Sequence, residues 1–155
     1  MAVRARDVMQ TSVATVQPDT PLAQVARFFV DEGIHGAPVV DEIERLVGVV
    51  SVTDLLRAVE EMHGSGAATA VYFRDVLEYS GPDWSSAPQD FQDRLEQLTA
   101  ADVMQTSVVT VGEDATVPEI AKLMRANGIH RVLVTRGDML VGIISALDLV
   151  GLLES

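Results

Sequence analysis

The apolar positions of this chain fall into short runs whose period changes, and the same order of changes occurs twice. Val13 to Val16 is a β-prone stretch of Val and Thr. Leu22, Val25, Ala26 and Phe29 then recur at i, i+3, i+4 and i+7, one apolar stripe of a helix. Thr20 is placed to cap that helix, Pro21 to occupy its first position and Gly33 to end it. Two strands are predicted at Ala37–Val40 and Leu46–Val50 around a turn at Asp41–Arg45, with a second helix over Thr53–Glu61. The second pass repeats the order. A Thr110-Val111 segment precedes a capping-box pair, Thr116 with Glu119, and a stripe of Val117, Ile120, Ala121 and Met124 ending at Gly128. Strands at Val132–Thr135 and Leu140–Ile144 turn at Arg136–Asp138, and Leu147–Leu153 reads as the last helix.

The two passes are copies. Asp7-Val-Met-Gln-Thr-Ser-Val13 recurs letter for letter as Asp102 to Val108, and Gly33-Ile-His35 as Gly128 to His130. Leu46-Val-Gly48, Ser51 and Asp54 return as Leu140-Val-Gly142, Ser145 and Asp148, after a one-residue deletion in the turn. The predicted division is residues 1–62 for the first repeat, 63–98 for an insert and 99–155 for the second repeat. Each repeat reads β-α-β-β-α, a unit small enough to need its twin for a core. Within the insert, Ala67–Tyr79 reads as helical, Ser80–Pro88 as a loop and Pro88–Thr99 as a helix with Phe91, Leu95 and Leu98 on one face. It holds five aromatics, Tyr72, Phe73, Tyr79, Trp84 and Phe91, which either cover the protein's own apolar ends or form a working surface.

Composition narrows the partners. The 155 residues carry a net charge of −12, which opposes nucleic acid and anionic membrane as partners. There is no cysteine, so disulfides and thiolate chemistry are excluded. No apolar run approaches the ~20 residues that span a bilayer, and the first residues lack the apolar core of a secretory signal, so the expected location is the cytoplasm.

The candidate chemistry lies where each second strand runs into its helix, at Ser51-Val-Thr53-Asp54 and Ser145-Ala-Leu147-Asp148. A helix start presents unpaired N–H groups suited to phosphate. A serine hydroxyl adds a donor, and an acid three residues on can accept both hydroxyls of a ribose. The same residues also make an ordinary N-cap with a favourable acid in the first turn. His35 and His130 follow the helix-ending glycines, either facing phosphate or serving structure, and no ligand spacing around them points to a metal. Arg131 follows His130, whereas Gly36 follows His35. No nucleophile elbow, Walker loop, zinc-protease or dinucleotide motif is present, so no catalytic residue is assigned.

Asp-Val-Met, then Val-x-Thr-Val, Gly-Ile-His and Leu-Val-Gly-x-x-Ser-x-x-Asp, in that order and twice, resembles the tandem CBS-domain pair, or Bateman module. The resemblance covers about Val3–Val59 and Thr99–Leu153. It implies an α/β (α+β) fold in which two β-α-β-β-α repeats pack sheet to sheet with pseudo-two-fold symmetry. It implies a regulatory ligand (AMP, ADP, ATP or S-adenosylmethionine) in clefts between the repeats, with no obligatory cofactor. By the resemblance, Asp54 and Asp148 hold ribose, Ser51, Ser145 and Thr53 lie near phosphate, and Thr15 and Thr110 reach the ligand held mainly by the other repeat. His130 with Arg131 matches the pair that contacts phosphate in nucleotide sensors, and His35 stands without its arginine. Adenine is placed against Ile34, Ala37 and Pro38 or against Ile129 and its neighbours. Leu147 for Thr53 and Gly36 for Arg131 divide the phosphate equipment between the two clefts.

The resulting expectation is a stand-alone, non-enzymatic sensor that signals to an effector protein in trans. The alternative is a ligand-free interaction module working through the aromatic insert. The helices carry more apolar surface than one partner repeat covers, and such modules usually dimerise, so a homodimer is expected. Light scattering at micromolar concentration should give twice the 16.7 kDa chain mass.

Overall fold

A computed structural model describes residues 2–63 and 89–154. The expected helix at Ala67–Tyr79 and loop at Ser80–Pro88 lie outside the described residues. The chain is mixed α/β with two small sheets, and it forms two compact units. The mid-chain unit comprises Thr15–Asp41 and Val47–Thr106, and the terminal unit Met1–Ala14, Glu42–Leu46 and Ser107–Ser155. Among the described residues no helix is long and apolar enough to cross a membrane.

In the mid-chain unit the predicted stripe forms α2 (Leu22–Glu32), after a short α1 (Ala5–Val8) that belongs to the terminal unit. Leu22, Val25, Ala26 and Phe29 are all buried. Gly33 closes the helix at φ 64°, a left-handed conformation that costs glycine nothing, and its N–H bonds the carbonyls of Phe29 and Val30. Strands β1 (Gly36–Val40) and β2 (Leu46–Ser51) pair, and β2 runs directly into α3 (Val52–His63). Val16 forms a lone parallel bridge to Val39 rather than a full strand. The insert contributes α4 (Gln89–Gln97), followed by the short α5 (Ala100–Val103). Leu95 of α4 is fully buried in the same core as Phe29, Val39, Val50 and Leu55, so this part of the insert completes the mid-chain core.

The expected Thr20 cap is not formed. Pro21 holds the N-cap position with ψ 143°, and the Thr20 hydroxyl accepts from the N–H of Gln17 at 3.2 Å. The first helical N–H, from Leu22, bonds the carbonyl of Leu98 at 2.9 Å. A backbone partner from the end of the insert thus satisfies a donor that local sequence assigns to a side chain.

The terminal unit holds β3 (Thr110–Gly112), α6 (Val117–Asn127), β4 (Arg131–Arg136), β5 (Met139–Ser145) and α7 (Ala146–Gly151). Its sheet order is β3-β4-β5, with β3 parallel and β5 antiparallel to β4. Thr116 caps α6 by accepting from Glu119 N–H, and Gly128 ends it at φ 62°. Val111, Ile120, Met124, Val132, Val134 and Ile144 form the core, joined by Ala5 of α1.

The compact units therefore cut across the sequence repeats. The first copy's Asp-Val-Met-Gln arm lies in the unit built on the second copy, and the second copy's arm in the unit built on the first. Gln105 exchanges two backbone hydrogen bonds with Val49, at 2.9 and 2.8 Å, and Gln10 exchanges two with Ile143, both 2.9 Å. Beside these bridges the strand residue is glycine in both units. A Cβ on Gly48 would lie 2.8 Å from Met104 Sδ and 2.8 Å from the Gln105 carbonyl; one on Gly142 would lie 2.6 Å from Met9 Sδ. The repeated Met and the repeated Gly are a docking pair.

Gly142→Ala and Gly48→Ala should each destabilise the protein by about 1–3 kcal/mol through overpacking. Met9→Ala should partly rescue Gly142→Ala, because the three nearest atoms there belong to the flexible Met9 side chain. Met104→Ala should rescue Gly48→Ala less, because the Gln105 carbonyl remains in the way. Urea denaturation of the two double-mutant cycles reads the difference directly.

Candidate functional site

The two Ser-x-x-Asp sequences form matching constellations, one in each unit. In the mid-chain unit Ser51 ends β2 and Asp54 sits in the first turn of α3. Asp54 Oδ2 accepts from the Ser51 N–H at 2.8 Å and the Ser51 hydroxyl at 3.0 Å, and the Asp54 N–H donates to Ser51 Oγ at 3.3 Å. Its Oδ1 accepts from Gln105 Nε2 at 3.1 Å and Arg57 Nη1 at 3.4 Å. In the terminal unit Asp148 Oδ2 accepts from Ser145 N–H at 2.8 Å, the Asp148 N–H donates to Ser145 Oγ at 3.1 Å, and Oδ1 accepts from Gln10 Nε2 at 3.1 Å. Both acids close a capping box. Each also takes an amide donor from the arm glutamine.

Those glutamines are the residues that sequence reasoning passed over. The signal was present, since Gln10 and Gln105 belong to the heptapeptide repeated letter for letter, but no side-chain role follows from it until the arms are seen to dock. Asp54 is 3% exposed and is the buried charged residue of the described core. Asp148 is partly exposed. Burial opposes its charge, but the Ser145 N–H, the Gln10 amide, the Ser145 hydroxyl and the Arg131 charge outweigh that and hold its carboxyl below the ordinary value.

The other predicted residues are distributed around these constellations. The carbonyl of His35 accepts the Val52 N–H at 2.9 Å and that of His130 the Ala146 N–H at 2.8 Å, so each Gly-Ile-His turn caps the helix bearing the acid. Both imidazoles are exposed. Arg131 stands opposite Ser145 in the β4–β5 register, while Gly36 in the other copy lies against Val50 and Ser51. Thr15 and Thr110 are partly buried and Thr53 is exposed. Ala37 and Pro38 are buried within β1, and Ile34 packs against the mid-chain core. Ile129 and His130 instead line a cavity of about 320 Å³ with Met124, Ala146 and Leu149. No group of three or more His, Asp or Glu poised for a metal occurs among the described residues.

Because the folded Asp148 carboxyl titrates below its unfolded value, its contribution to stability is present above the unfolded pKa near 4 and is lost as pH falls through the lower folded value. Asp148→Asn should flatten that part of the stability curve, measured by urea denaturation between about pH 2 and pH 6. Gln10→Ala, which removes a donor to the charged form, should move the loss to higher pH.

Residues 5–61 and 100–155 each match the CBS domain. The uncharacterized protein MJ1426 of Methanocaldococcus jannaschii is 28% identical over 152 residues, covering 90% of both chains. The chain spans 40% and 26% of two longer curated relatives. The CBS domain of a CBS domain-containing membrane protein from Sphaerobacter thermophilus is 31% identical with a TM-score of 0.68, covering 97% of this chain and 88% of that one. CBSX2, solved in complex with AMP, shares the fold at 21% identity and a TM-score of 0.68, covering 98% and 96% of the two chains. With two matched segments, each containing the same Ser-x-x-Asp helix start, the chain belongs to the CBS domain family as a tandem pair.

Proposed function

We propose that this CBS pair is a regulatory module that binds an adenosine-type ligand at Asp54 and Asp148 and passes the occupied state to an effector protein in trans, without catalysing a reaction. The observation that carries the reading is the duplicated carboxylate at a strand-to-helix start, with a serine hydroxyl beside it and one oxygen held by an arm glutamine amide. A ribose offers two hydroxyl donors to such a carboxylate. The arm glutamine amide supplies one donor of the same kind, so exchanging Gln105 or Gln10 for ribose keeps the carboxylate satisfied. That exchange gives the ligand different contacts in two states of the arm, which is what a ligand needs in order to shift a conformational equilibrium. AMP in CBSX2 supports the ligand class. Arg131, opposite Ser145, favours a phosphate-bearing ligand in the terminal unit.

A second reading has its own observation. Asp54 is buried with both oxygens engaged, as a purely structural cap would be. Leu147 and Val150 of α7 and Leu153 just after it are 79%, 52% and 84% exposed, an apolar surface suited to a second copy or another protein. On that reading the chain is an interaction module.

Asp54→Ala and Asp148→Ala should each weaken adenosine-ligand binding at one site by roughly one to two powers of ten. Arg131→Ala should weaken AMP more than adenosine. Calorimetry against AMP, ADP, ATP, adenosine and S-adenosylmethionine, paired with melting curves of the same variants, decides between the readings. Variants that melt lower yet bind as the parent does would leave the acids as helix devices, and a parent that binds nothing from the panel would favour the interaction module.

A further inference from the structure

A second cavity, of about 210 Å³, lies within the mid-chain unit between α3, α4 and α5, lined by Asp54, Arg57, Ala58, Arg94, Leu98, Asp102 and Val103. It contains neither Ser51 nor any predicted phosphate contact. Two guanidinium groups reach it, Arg57 from the repeat and Arg94 from the insert. Its acids are already engaged. Asp54 receives Ser51, Gln105 and Arg57, and Asp102 Oδ2 receives the Thr99 N–H at 2.8 Å and the Thr99 hydroxyl at 3.1 Å.

Among the described residues the arginines are less fully paired. Arg57 meets Asp54 through one long contact of 3.4 Å and remains 54% exposed. The Nε of Arg94 is buried and has no hydrogen-bond partner, the one such side-chain atom found among the described residues. A guanidinium always carries its charge, and a buried N–H without an acceptor is costly, so such a group calls for an explanation. Phosphate oxygens match the planar fork of guanidinium N–H donors, and both arginines line the cavity.

We propose that Arg57 and Arg94 form a phosphate-binding pocket in the mid-chain unit, built jointly by the repeat and the insert. The pocket is particular to one unit. Arg94 lies in the insert, and the position equivalent to Arg57 in the second copy is Gly151. The pocket shares Asp54 with the proposed adenosine site but takes its anion chemistry from the two arginines, and two sources share that chemistry: free inorganic phosphate, or the phosphate end of a larger ligand.

The full chain, dialysed into a chloride buffer, is titrated calorimetrically with inorganic phosphate. Saturable binding is expected, weakened about tenfold or more in Arg94→Met and in Arg57→Met. It should be partly retained in Arg94→Lys, and unchanged in Arg125→Met, a cationic residue of the other cavity. Melting curves confirm that each variant folds; if Arg94→Met does not, Arg94→Lys and Arg57→Met carry the test. Parallel titrations with AMP and adenosine separate the sources. A loss confined to phosphate marks a free oxyanion, and a loss shared by phosphate and AMP but not adenosine marks the phosphate end of a nucleotide. Absence of saturation by about 10 mM phosphate, or unchanged phosphate binding in both Arg57→Met and Arg94→Met, overturns the proposal.

Discussion

Each compact unit depends on one close approach, a methionine sulfur and an arm backbone set against a glycine of the second strand. At Gly48 and Gly142 the space a Cβ would fill is taken by Met104 and Met9. The approach lets Gln105 and Gln10 exchange paired backbone hydrogen bonds with β2 and β5. Those bridges bring each glutamine amide to the acid at the next helix start. Core, sheet edge and candidate site are therefore coupled through one contact. The Asp-Val-Met-Gln and Leu-Val-Gly motifs recur together because they are two halves of one joint.

The same joint gives each capping acid a second, distant partner. A capping aspartate needs only one carboxylate oxygen, and in both units Oδ2 does that work. The second oxygen is left for a partner. Here it faces an amide from a segment distant in sequence, and an amide donor is replaceable by a hydroxyl donor at little net cost, since one hydrogen bond is exchanged for another. The cap and the arm contact use different atoms of the residue.

The copies have diverged where the joint places no demand. Arg131 faces Gly36, Thr53 faces Leu147 and Arg57 faces Gly151 in the alignment of the repeats. The insert adds Leu95 to the mid-chain core alone, whereas Leu147, Val150 and Leu153 of the other unit remain exposed. A duplicated fold thereby carries two chemically unlike surfaces.

The sequence by itself determined the local elements. The apolar stripe from Leu22 to Phe29, the αL stops at Gly33 and Gly128, the Thr116 cap, both hairpins and the Ser-x-x-Asp helix starts were all legible, because each is settled by residues within one or two turns of chain. The repeat was legible for the same reason, as identity of letters. What only the tertiary structure decided is which arm docks on which strand. Two arms with the same sequence, Asp-Val-Met-Gln, face two strands with the same Val-Gly, and no local preference separates the pairings. Non-local packing alone sets Met104 on Gly48, across 56 positions. The misplaced Thr20 cap, the glutamine donors at Asp54 and Asp148, and the cavity that Arg57 and Arg94 both line belong to that class. Each depends on a partner far along the chain, and no local periodicity encodes it.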